Sequence, residues 1–208
     1  MPGISPCGRP PEISKERDGI TPITIFHANP AWGLLMQSGV GIACTVGIPL
    51  PSLLRDELGL SCEQLRPVDA LLLDGMPVDN PEQAIVGDNA RLALAAGLPG
   101  IAGLAMKQGS AVRALRGGIT HTGNESPAPR PGTVHLSLYS LVLPQLAGHF
   151  FKRGVLVTAA QLIRYARFAP DDHCLLANDT IIAHDLPEAL KTFSADFLFL
   201  FTAILCRN

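Results

Sequence analysis

Two histidines eleven residues apart, His173 and His184, bracket an apolar segment that reads as a β-hairpin. With Asn178-Asp179 as a two-residue turn, the ladder pairs Leu176 with Ile181, Cys174 with Ala183 and His173 with His184. The histidine Cβ atoms would then stand about 5 Å apart, near enough to share a divalent metal or a proton. Asp172 and Asp185 sit next to them, but the sequence places no third or fourth ligand of the kind a metal needs. A second constellation lies in the Gly-rich stretch Gly97–Gly118, where Lys107, Arg113 and Arg116 could hold an anion among backbone N–H groups. That stretch lacks the G-K-[ST] of a phosphate-binding loop, and the chain has no G-x-S-x-G and no H-E-x-x-H, so no catalytic residue is assigned. His27 and His121 read as structural, and Trp32, the only tryptophan, reads as a core residue.

The elements that must position these groups come from an internal echo. Leu71-Leu72-Leu73-Asp74-Gly75-Met76-Pro77-Val78 returns, blurred, as Leu175-Leu176-Ala177-Asn178-Asp179-Thr180-Ile181-Ile182. Each string is followed by Pro-Glu and then by an apolar strand, Leu92-Ala93-Leu94 in one case and Phe197-Leu198-Phe199-Leu200 in the other. Two related halves are expected. In the first, Ile20–Phe26 and Val40–Ile48 read as strands separated by the breaker Asn29-Pro30. A short helix follows Pro51, and Asp74-Gly75 closes a hairpin because both turn positions favour positive φ. In the second, strand Thr133–Tyr139, helix Leu141–Lys152, strand Val155–Val157 and helix Ala159–Phe168 precede the hairpin and the terminal strand Phe197–Leu205.

The order strand, strand, helix, strand, short strand, strand over residues 20–96 resembles a ubiquitin-like β-grasp domain. The resemblance rests on Leu71–Val78 and on Asp88-Asn89-Ala90-Arg91-Leu92-Ala93-Leu94. It implies an α+β fold of two β-grasp-like units with mixed sheets packed on short helices: 20–96, and a degenerate second unit over 133–208. Residues 1–19 read as a loose tail and 97–132 as a connecting segment. The carrier members of that superfamily imply a free C-terminal Gly-Gly. Here Leu115-Arg116-Gly117-Gly118 is followed by 90 residues, so only cleavage after Gly118 would expose one. The ferredoxin branch implies clustered cysteines, and the five here, at 7, 44, 62, 174 and 206, are scattered.

Composition narrows the function. Hydrophobic residues make up 47% and charged residues 16%, a surplus of apolar surface that a partner subunit or an interface between the halves could absorb. The apolar runs Leu92–Met106 and Phe197–Cys206 fall short of the ~20 residues of a membrane span, and no secretory signal opens the chain, so a cytoplasmic protein away from membranes is expected. The formal charge of −2 hides a segregation: residues 89–170 carry 9 basic and 1 acidic side chains between two acidic blocks. Together these features predict a non-enzymatic binding or scaffold protein with a protein partner or a homo-oligomer. The alternative is a binding protein or small enzyme for an anionic, phosphate- or carboxylate-bearing metabolite held by the basic segment 91–167. Nucleic acid is not expected with an acidic overall balance, and no cofactor is expected beyond the divalent metal that the His173–His184 pair would take.

Overall fold

The structure, a computed structural model, describes residues 20–97, 100–107, 111, 128–176 and 179–205. The first half runs β1 (Thr21–Ala28), a 3-10 helix (Pro30–Ser38), β2 (Val40–Val46), β3 (Ile48–Pro49) and α1 (Leu50–Ser52), which continues as a π-helical turn over Leu53–Glu57. It goes on through α2 (Cys62–Leu65), β4 (Ala70–Leu73), β5 (Met76–Pro77), β6 (Ile85–Val86) and β7 (Arg91–Ala96). After α3 (Gly100–Met106) the second half runs β8 (Arg130–Ser140), α4 (Val142–Arg153), β9 (Val155–Thr158) and α5 (Ala159–Ala166). The hairpin β10 (His173–Leu176) and β11 (Asp179–Ile182), α6 (Leu186–Ala189) and β12 (Leu198–Leu205) complete it.

The fold is α+β, as the sequence leads one to expect. Among the described residues, ten strands form one mixed sheet in the order β11-β10-β1-β12-β9-β2-β8-β7-β4-β5, and β3 pairs with β6 apart from it. Apart from β3 and β6, the strands of 20–96 therefore share one sheet with strands of the second half. β1 lies between β10 and β12, antiparallel to one and parallel to the other. β8 lies between β2 and β7, again antiparallel to one and parallel to the other. Each half thus lends its leading strand to the other, and equivalent strands of the two halves run in opposite directions. The halves meet where β2 and β9 touch, through the single registered pair Gly41–Leu156.

The 3-10 helix Pro30–Ser38, which the sequence does not suggest, lies between β1 and β2 as α4 lies between β8 and β9. Asn29-Pro30 starts this helix rather than only breaking a strand: the Asn29 side chain accepts from Ala31 N at 2.9 Å, and Pro30 occupies the first turn, where no N–H is needed. At the start of α5, Thr158 and Gln161 form a reciprocal capping box. The turn Asp74-Gly75 has φ of 52° and 81°, the two left-handed residues that a tight hairpin needs.

All the longer helices pack on one face of the sheet. That face buries Val134, Leu136 and Leu138 of β8, Phe199 and Phe201 of β12, Ile23 and Ile25 of β1 and Val155 and Val157 of β9 against Leu146, Phe150 and Phe151 of α4. Trp32 is fully buried, its ring 5.4 Å from that of Phe201, and its indole N–H donates to Asp172 Oδ2 at 2.9 Å. The same oxygen accepts from Asn29 N at 2.7 Å, so one carboxylate ties the start of the 3-10 helix to the loop that leads into the last hairpin.

A second carboxylate pins β8. Asp88 accepts from Thr133 N at 2.9 Å and from Asn89 N at 3.1 Å, and pairs with Arg130 at 3.3 Å. These donors, the Thr133 amide first, hold its carboxyl below the ordinary value. The sign follows: a depressed native pKa adds stability that is complete above the unfolded-state value and fades as pH falls through the native one. The protection of the Thr133 amide against hydrogen exchange, relative to its intrinsic rate at each pH, is expected to fall on acidification through that range, and Asp88→Asn is expected to abolish this pH dependence. An Asp88→Asn protein with the wild-type profile would show that another group is responsible.

Candidate functional site

The hairpin does not bring the two histidines together. β10 and β11 pair Leu176 with Asp179, Cys174 with Ile181 and His173 with Ile182. His184 falls beyond β11 in a 3-10 turn over Ala183–Asp185 and pairs with its neighbour Asp185 at 3.0 Å. The partner of His173 has shifted by two residues relative to the sequence expectation. A two-residue shift keeps every side chain on its own face, so the apolar pattern could not tell the two registers apart. Among the described residues no three His, Cys, Asp or Glu side chains are grouped to hold a metal. Burial, and then the charge of Asp172, push the Cys174 thiol up to about 12, so it stays protonated at neutral pH.

Three of the basic residues are engaged by acidic side chains or backbone carbonyls. Lys107 lies 3.6 Å from Asp69, Arg130 pairs with Asp88, and Arg153 donates to the carbonyls of Glu57 and Ala43. Arg113, Arg116, His121 and Gly118 lie outside the described residues. The blocks of unlike charge thus mix in space, as they commonly do.

What the sequence did not single out is the second face of the sheet. Cross-strand partners point the same way, so the registers define a file of side chains across the seam between the halves: Leu200 of β12, Leu156 of β9, Gly41 of β2, His135 of β8 and Arg91 of β7. Beside it run the pairs Leu198–Thr158 and Ala43–Thr133. Among the described residues no long helix covers this side. Ile204 is 52% exposed and Leu198 41% exposed, and Phe26, at the bulge where the β1 register shifts, is 57% exposed.

At the seam the face sinks into a groove of about 430 Å³. Gly39 and Gly41 lie along it, Leu156 and Leu198 give it an apolar side, and Asn89, Thr133 and His135 give it a polar one. Gly41 is required there by the approach of β9: a Cβ would stand 3.0 Å from that of Leu156. One end is fixed by Gln161, whose Nε2 donates to Ser38 Oγ at 2.9 Å and Gly39 O at 2.8 Å while its Oε1 accepts from Thr158 N at 2.9 Å. The side chains of Asn89, Thr133 and His135 make no hydrogen bond among the described residues, which leaves their donors and acceptors for an incoming group. His135 is the one titratable side chain among the lining residues, and no carboxylate, lysine or cysteine lies among them. The geometry suits recognition of uncharged apolar groups with a few hydrogen bonds at the rim.

Among the described residues, no helix is long and apolar enough to cross a membrane. Comparison of the chain with protein families, with curated proteins and with solved structures found no match.

Proposed function

We propose that the protein works by binding rather than by turnover, and that the open face of its sheet is the recognition surface, with a second copy of the chain as its occupant. The observation that carries this reading is the exposure of Phe26, Leu198 and Ile204 on a sheet face whose centre is uncharged. The remaining boundaries of the molecule suit self-association less well. The sheet ends on β5, two residues that include Pro77, and on the four residues of β11, and short edges with proline resist strand addition. On the helix side most large apolar side chains are taken up by the core, Phe168 excepted. Two open faces stacked about 10 Å apart would bury their apolar side chains against each other, related by a two-fold axis that brings like residues into contact.

Light scattering coupled to size exclusion tests this. The wild-type chain is expected to elute as a dimer at micromolar concentration, and Leu198→Asp and Ile204→Asp are each expected to be monomeric with an unchanged circular dichroism spectrum. A monomeric wild type would overturn the reading.

A further inference from the structure

A separate groove of about 420 Å³ lies between the 3-10 helix and α5. Its walls carry Arg164 and Arg167, with Tyr165, Gln37 and Phe168 around them. The two arginines are three residues apart, one turn of helix, which sets them side by side. Neither makes an ion pair or a side-chain hydrogen bond among the described residues, in contrast to Lys107, Arg130 and Arg153. Their position is also not accounted for by an acidic neighbour in the groove, since its lining contains no carboxylate. The Arg167 guanidinium lies 4.8 Å from the centroid of the Phe168 ring, and Phe168 is 44% exposed. Stacking on a ring orients a guanidinium by its flat face and leaves its in-plane N–H groups free to form paired hydrogen bonds.

We propose that this groove is a binding site for a phosphate-type oxyanion, held by the guanidinium groups of Arg164 and Arg167. Planar forks of this kind match tetrahedral oxyanions through parallel charge-assisted hydrogen bonds, and a doubly charged phosphate suits two cations better than a single carboxylate does. Phe168 and Tyr165 flank the site with aromatic surface, so a phosphomonoester with a flat apolar body is the organic ligand it would take. The site is distinct from the open face and would exist in monomer and dimer alike.

The probes are inorganic phosphate and phenyl phosphate, each read by calorimetry and by melting temperature at constant ionic strength, with sodium chloride as the matched control. Binding to the native state is expected to raise the melting temperature, and phenyl phosphate is expected to bind more tightly than inorganic phosphate. Arg164→Gln and Arg167→Gln are each expected to weaken binding about tenfold or more, whereas Lys152→Gln, on α4 and outside the groove, is expected to leave it unchanged. Trp32 fluorescence reports whether the variants are folded. Equal shifts with chloride, no binding by the wild type, or full binding by both folded arginine variants would each overturn the proposal. Ile204→Asp is expected to bind phosphate normally, so failure of the dimer and failure of this site are told apart.

Discussion

Phe201→Ala is expected to lower the free energy of unfolding by about 3–5 kcal/mol, the cost of emptying a large site in a close-packed core. Phe201 is fully buried in β12, pairs with Ile23 and Val155 on the neighbouring strands, and lies 5.4 Å from Trp32 and 5.2 Å from Phe151, ring to ring. It therefore joins strands of both halves to the 3-10 helix and to α4. Against a usual total of about 5–15 kcal/mol, the loss would leave a marginal protein. Because Trp32 is the only tryptophan and sits against the vacated ring, its fluorescence reports both the denaturation midpoint and the local repacking. A loss below about 1 kcal/mol would mean that neighbouring side chains collapse into the space and that the site is not a keystone.

Gly132→Ala is the second large effect, and its sign needs deciding. Alanine for glycine ordinarily stabilises by about 0.4–1 kcal/mol, by narrowing the unfolded ensemble. Here the added Cβ would stand 2.7 Å from Val46 Cγ2 and 2.7 Å from Asp88 Oδ1. Val46 is a buried, β-branched residue with little rotamer freedom, and Asp88 is committed to the Thr133 amide and Arg130. Overpacking costs about 1–3 kcal/mol, and displacing Asp88 adds the loss of its hydrogen bonds, so destabilisation by about 2–3 kcal/mol is expected. Urea titration against wild type measures it. In the same variant the acid dependence of protection at Thr133 should vanish, because the carboxylate that creates it has been pushed away. A protein as stable as wild type would show that β8 can slide off β2 at little cost.

Much of the architecture was legible because it depends on local chemistry. Asp74-Gly75 fixed its hairpin by the positive φ of both residues, and the alternation of Leu136, Leu138, Phe199 and Phe201 marked strands with one buried face. Both hairpins that the echo singles out are present, as β4–β5 and β10–β11. Pairing between distant strands left no such trace: nothing in Ile23 or Ile25 says that their neighbours are Phe201 and Ala203 rather than a strand of their own half. Pro30 was read as a breaker when, preceded by a capping asparagine, it opens a helix. The His173–His184 pairing failed because two registers of β10 and β11 bury the same residues. The groove escaped notice for a different reason: Gly41, Asn89, His135 and Leu156 come from four segments, and His135 is visible in the sequence only as an interruption of an apolar run.

The exchange of leading strands also sets when the protein can fold. Thr21 is registered with Phe199, and both strands that flank β1 come from beyond residue 172. During synthesis, Ile23 and Ile25 have no ladder partner until the chain beyond residue 172 has left the ribosome. Closure over such sequence separations is slow, because the entropy of the loop is lost before any contact compensates for it. The N-terminal strand is thus the last to be accommodated, and until then its apolar side chains remain open to chaperones or to the same strand of another chain.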